Sequence, residues 1–193
     1  MRTSLRTLCL LVGCCLLTVA STFVYAQAAP PAKPPVGTVL TPAQSLGNLL
    51  TMLENEFVPA AEAMPEDKYG FAPPESAGAF KGVRTFGDQV KHVADANYYF
   101  FGNYSEAELK AKSDAIAKLK TKAEIVQALK DSFTQAHAFV NAITAESAFK
   151  TTANGTPAGL AAFGMAHFMD HYGQMVIYLR MNGIVPPASR GGM

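Results

Sequence analysis

Cysteine is nearly missing from this 193-residue chain, and the three present, Cys9, Cys14 and Cys15, all fall within the first 26 residues. That stretch has the form of a secretory leader. Arg2 and Arg6 open it, Leu8 to Val24 is almost wholly apolar or small, and Val24-Tyr25-Ala26 places small residues three before and one before a cut. Ala26-Gln27-Ala28 offers a second cut. An uncleaved anchor is the rival, but the run is short for a span of ~20 residues and ends in a cleavage site, so cleavage after Ala26 is favoured. Leu11-Val12-Gly13-Cys14 carries the residue types that precede a lipidated cysteine. The apolar core before it is only about seven residues, at the floor of the usual range of roughly 7–15, so lipidation is the less favoured reading. Cleavage removes every cysteine, which excludes a disulfide, a thiol nucleophile and a thiolate ligand from the mature protein. The expected location is periplasmic or secreted.

Charge is also scarce. Charged residues make up 16% of the chain against 49% apolar, and the formal net charge is +1. This composition describes a globular domain with no pull towards nucleic acid or an acidic membrane surface. Cleavage takes two of the 16 basic residues and none of the 15 acidic ones, leaving a formal charge of −1. There is no internal repeat, no strand pattern of any length and no glycine-rich phosphate loop.

What is there is helical. After the leader (1–26), residues 27–43 form a Pro/Ala-rich linker with Pro30, Pro31, Pro34, Pro35 and Pro42, an extended tether rather than a packed element. A bundle is expected over 44–187, then a frayed tail over 188–193. Thr41-Pro42 reads as a helix cap with proline at the first helical position. The helix is expected to run to about Met64, where Pro65 closes it; Leu46, Leu49, Leu50, Leu53 and Phe57 come at three- and four-residue steps, and Pro59 puts a kink or an early end within it. Glu66 to Gly82 is a loop by composition, pinned to the bundle by Tyr69, Phe71 and Phe80. Thr85-Phe86-Gly87-Asp88 resembles a capping box and opens a second helix to about Phe101. Asn103 to Lys120 is polar and lysine-rich and reads as a surface connection, though Ser105-Glu106-Ala107-Glu108 has the form of a short helix start. Thr121-Lys122-Ala123-Glu124 caps a third helix, expected to run to about Ala148. A fourth runs from about Gly159 to Asn182-Gly183, where Pro186-Pro187 stops it. The expected fold class is all-α, a four-helix bundle.

His167-Phe168-Met169-Asp170-His171 lies in that last helix. Histidines four apart share a helix face, so two imidazoles there can reach one metal ion. His92 in the second helix is placed where it could converge with them; His137 flanks the apolar stripe of the third helix. A zinc protease needs Glu directly after the first histidine, and that position is Phe168. A di-iron bundle needs a carboxylate three before a histidine; those positions hold Gln89, Gly164 and Phe168. Both classes are excluded, leaving a mononuclear site with open positions. Asp88, Asp95, Asp170 and Gln174 are the nearby polar groups for orienting such rings. Asp88 also reads as a helix cap, and Asp170 as a solvent-facing charge. Gly173 is a candidate for close helix approach.

Met64-Pro65-Glu66-Asp67-Lys68-Tyr69, Arg84-Thr85-Phe86-Gly87 and His92-Val93-Ala94-Asp95-Ala96-Asn97-Tyr98 resemble the first half of a DinB-superfamily bundle. His167 through Gln174, and Tyr178-Leu179-Arg180-Met181-Asn182-Gly183-Ile184-Val185-Pro186-Pro187, resemble its end. The resemblance implies a divalent metal held by three histidines, matching His92, His167 and His171. His137 has no counterpart and reads as structural or surface. Three imidazoles suit zinc, nickel, copper or iron.

The resemblance further implies metal-dependent transfer of a low-molecular-weight thiol to an electrophile, or thiol-assisted isomerisation. An export signal counts against thiol chemistry, because pools of reduced thiol are cytosolic. Hydrolysis, with no clear general base beside the site, is the other enzymatic option. A non-catalytic metal-binding or interaction module is the alternative from a different class. The expected partners are a small molecule at the metal and, as an open option, a second copy of the chain in a homodimer; neither nucleic acid nor a membrane span after cleavage is expected.

Overall fold

The structure, a computed structural model, describes residues 33–191. The leader, with Cys14, and residues 27–32 of the linker lie outside the described residues, as do 192–193. The chain divides into two units after Thr38, and the second holds every helix among the described residues. These comprise five α-helices, with no strand beyond an isolated bridge between Thr152 and Gly155. No helix among them is long and apolar enough to cross a membrane.

Helix α1 spans Pro42–Ala63 and opens with a full capping box, the Thr41 hydroxyl taking the Gln44 N–H while the Gln44 side chain takes the Thr41 N–H. The helix continues through Pro59. The lost backbone bond is outweighed by burial on either side of it, where Phe57, Val58, Ala60 and Ala61 all face the core. Helix α2 covers Phe86–Phe100, α4 Lys122–Asn141 and α5 Pro157–Met181. The expected third helix therefore ends early, at Asn141 instead of Ala148. The Thr144 and Ser147 backbone N–H groups each donate to the other's hydroxyl there, and this local pairing competes with helix continuation.

The stretch read as a surface connection contains a further helix, α3, over Glu106–Ala117. Its capping box at Ser105 and Glu108 is the signal present in the sequence. Its apolar stripe is thin, because Ile116 alone is fully buried, and that is why hydrophobic periodicity does not reveal it.

Helices α1 and α2 each pack against both α4 and α5, and have little contact with one another. They therefore sit on opposite corners of a four-helix ring, and the long 64–85 connection must cross one end of the bundle. Its aromatic anchors hold it there. The Tyr69 hydroxyl donates to the Ala61 carbonyl at 2.7 Å, and Phe71 stands edge-on to Tyr178, ring centres 5.8 Å apart. Phe80 is half-buried. The loop also satisfies the start of α2, since the Phe71 and Tyr69 carbonyls accept the Phe86 and Gly87 N–H groups, each at 2.8 Å. Helix α3 packs on the outer side of α2. After Pro186, close to where the sequence predicts a frayed tail, Pro187–Ser189 form a 3₁₀ turn and the Arg190 guanidinium donates to the Val185 carbonyl.

The core is built on Phe57, Phe133 and Phe168 from α1, α4 and α5, each ring within 6.1 Å of the other two. Between α2 and α5 the close approach depends on Gly164. A Cβ there would lie 2.7 Å from the buried Phe101 ring and 2.9 Å from the Phe100 Cβ. Gly173, the candidate for this role from the sequence, has open space beside it. Gly164→Ala should accordingly destabilise the fold by about 1–3 kcal/mol, the usual range for overpacking a filled core. Urea unfolding measures this, with Gly173→Ala, at an open helix position where alanine should stabilise by up to about 1 kcal/mol, as the control.

Candidate metal centre

Helix α5 buries Ala161, Gly164, Met165, Phe168, His171, Met175, Tyr178 and Leu179, a continuous core stripe in which His171 is the polar member. His167 lies one turn before His171 and half-buried. On α2, His92 is half-buried and points into the same seam. The three imidazoles meet edge to face, with ring centres 5.1 Å (His92–His167), 4.7 Å (His92–His171) and 4.8 Å (His167–His171) apart. One nitrogen from each lies within 4.8 Å of the others. Two nitrogens bound to one ion at about 2.0–2.1 Å are at most about 4.2 Å apart, so a shift of less than about 1 Å per ring closes the set.

The environment suits a cation held by neutral ligands. Burial pushes the His92 imidazole down to about 4, with the Arg84 guanidinium and His167 adding to the effect. Burial does the same to His171, also to about 4, with His167 and His92 reinforcing it and Asp170 opposing it. His167 is lowered by burial too, against the pull of Asp170. Rings kept unprotonated have lone pairs to offer. His167 Nδ1 is buried with no hydrogen-bond partner, an arrangement that costs about 1–3 kcal/mol unless something satisfies it. A divalent ion fits these residues.

The His171 tautomer follows from a chain of contacts that ends in a carboxylate. The Asp170 carboxylate only accepts, so the Gln174 amide donates to it at 3.0 Å. The Gln174 oxygen then accepts from Gln89 Nε2 at 2.8 Å. That leaves Gln89 Oε1 facing His171 Nδ1 at 2.5 Å, so Nδ1 carries the proton and Nε2 keeps the free lone pair. Of the polar groups named from the sequence, Asp170 and Gln174 act only through this relay. Asp88 is a cap, bound to Thr85 and to Lys91 at 2.9 Å, and Asp95 accepts from Ser113 Oγ at 3.3 Å. His137 lies elsewhere, paired with Glu54 across α1 and α4 at 2.6 Å. Sequence reasoning missed Gln89, which counted only as a missing carboxylate; its spacing of three before His92, on one helix face, was the available signal.

A cavity of about 570 Å³ opens beside the rings, between α2, α3 and α5. His92 and His167 line it; Asp95 stands one turn further along α2, and Tyr99 and Phe100 lie beyond it. Burial raises the Asp95 carboxyl above its ordinary range, against the Ser113 hydroxyl, which holds it down.

A helical bundle that carries one histidine on one helix and two, a turn apart, on the helix facing it defines a class of metal-site bundles. The family model of the DinB superfamily matches residues 49–175, more than half of the chain and including all three histidines, and the chain belongs to that superfamily. No curated protein matches the sequence.

Gln89→Leu should lower zinc affinity about 10–100-fold at pH 7, the usual effect of removing a partner that orients a ligand. Competition with a chromophoric chelator measures this; unchanged affinity in a folded variant would give Gln89 a packing role only. In the chelator-treated protein, His92 and His171 should titrate near pH 4 by NMR, against ~6.5 for free histidine. Between those values the unfolded chain binds more protons than the folded one, so stability falls as pH drops from about 6.5 to about 4 and is flat above. Protons then compete for these ring nitrogens only as the pH approaches about 4, well below the ~6.5 of free imidazole.

Proposed function

We propose that this protein holds one divalent cation through His92, His167 and His171 and uses it on a small molecule bound in the adjoining cavity, as a metal-dependent transferase or hydrolase. The observation that carries this is the convergence of three neutral imidazoles on one seam beside an open cavity. A structural metal site is normally closed by four protein ligands, whereas catalytic sites keep a position free. Zinc, nickel and iron all suit the donor set. Such an ion, when bound, acidifies water or a thiol near neutral pH and polarises an electrophile.

The chain's own residues divide the remaining work. The Gln89 relay keeps the His171 proton on Nδ1, away from the cation. The Phe100 ring, packed against His167 with centres 5.2 Å apart, excludes water from one side. Asp95, which makes no ion pair among the described residues, is the carboxylate in the cavity able to accept a proton from a bound molecule. The proposal includes export through the leader and cleavage after Ala26, supported by the basic start, apolar run and small-residue site. Outside the cytoplasm, hydrolysis is favoured over transfer of a thiol cofactor.

One preparation tests both parts. Untagged protein from an extracytoplasmic fraction should have the intact mass of a chain beginning at Gln27 and carry close to one equivalent of metal by elemental analysis. His92→Ala and His171→Ala should each lose it. Metal content below about a tenth of an equivalent after reconstitution would rule out the site. A mass showing retained Cys14 with lipid would overturn the cleavage site. Full metal with no turnover on ester, amide or thiol–electrophile substrates would point to a binding module.

A further inference from the structure

The two helix faces that carry the histidines also carry aromatic rings. On α2, His92, Ala96 and Tyr99 fall at i, i+4 and i+7; on α5, Phe163, His167 and His171 fall at i, i+4 and i+8. The stripes face each other, so Tyr99 and Phe163 extend the histidine seam outward. Phe100 joins them. Its ring centre is 5.1 Å from Tyr99, 5.2 Å from Phe163 and 5.2 Å from His167. Phe100 is buried, yet Tyr99 and Phe163 are 59% and 63% exposed. Tyr99 and Phe100 line the cavity, and Phe163 adjoins it through its contact with Phe100. Exposed aromatic surface beside a cavity marks a binding site more often than a bare surface.

We propose that this shelf receives a small molecule with a flat, uncharged apolar body, seated on Tyr99, Phe100 and Phe163 with its reactive end at His92 and His167. The placement of the reactive end rests on the metal reading above; the shelf itself does not. The cavity, about 570 Å³, falls in the range of roughly 300–1,000 Å³ typical of small-ligand pockets. The lysine that lines it is already paired, and the Asp95 carboxylate, which has no ion pair among the described residues, would repel an anion. Lys110 is paired with Asp114 at 2.6 Å, and Asp95 accepts from Ser113. Among the described residues, no free cation or amide row lines it to anchor a phosphate or a carboxylate, so recognition of the body falls to the rings. Tyr and Phe rings offer both faces and edges, which suits a planar partner.

The test titrates the purified chain, zinc-loaded, with 2-naphthohydroxamate and with acetohydroxamate, which share a metal-binding group and differ in the body. The naphthyl probe should bind at least about tenfold tighter. Tyr99→Ala/Phe163→Ala should erase most of that advantage with zinc content unchanged, while Phe149→Ala, at an exposed ring elsewhere, should keep it. In chelator-treated protein, 2-naphthylmethanol, which lacks the metal-binding group, should shift the amide signals of Tyr99, Phe100 and Phe163. Equal affinity for the two hydroxamates, an advantage that survives the double variant, or naphthylmethanol shifts confined to other residues would each overturn the proposal. So would self-association that the double variant abolishes without any naphthyl binding, which would assign the shelf to a second copy of the chain. If zinc fails to bind while naphthylmethanol still shifts the shelf amides, the metal reading falls and this one stands.

Discussion

The hydrogen bond from His171 Nδ1 to Gln89 Oε1 crosses the seam between α2 and α5 at a depth where the neighbouring positions are Phe, Met and Val. A buried polar group left unpaired costs more than a made pair gains, so this contact acts as a register lock. If α5 slid one turn against α2, both groups would be stranded. The close packing at Gly164 sets how near the two helices come, and the loop carbonyls of Tyr69 and Phe71 fix where α2 begins. Once depth, distance and start are fixed, His92 meets His167 and His171 without any histidine being held by a carboxylate of its own.

The same seam accounts for the electrostatics. Three imidazoles within 4.8 Å of one another would repel if protonated, and burial already disfavours the charged form. Both effects act in one direction, and the Arg84 guanidinium adds to them. The result is a cluster of lone pairs beside a cavity, in a core that is otherwise mostly apolar. Asp170, though exposed, determines the proton position on His171 through two amides, because a carboxylate is the only member of the chain that cannot donate.

Helix α3 contributes the outer wall of the cavity. Its residues Lys110 and Ser113 engage Asp114 and Asp95 respectively, which leaves the space lined by rings and bonded polar groups, with Asp95 as the carboxylate that has no ion pair among the described residues. A helix with so thin an apolar stripe gains little from burial. Its capping box and its Lys110–Asp114 pair supply local stability of the kind that operates without a core.

The sequence by itself determined the helical class, the starts of three of the four core helices and the local histidine pair; α5 begins at Pro157, capped by Thr156, two residues before the expected Gly159. Caps and apolar periodicity are local, and a histidine pair four apart states its own geometry. The early end of α4 and the whole of α3 rest on local capping bonds that hydrophobic periodicity does not report. The unbroken passage of α1 through Pro59 was decided by tertiary structure, because the burial that offsets the lost bond comes from distant neighbours. The relay was invisible for the same reason, since Gln89 and His171 are joined across 82 positions of chain. So was the choice between Gly164 and Gly173, because only the packed partner tells a glycine that is needed from one that is free. A ligand set can be read wherever its spacing is local; what orients those ligands, and the cavity they look into, come from contacts between helices.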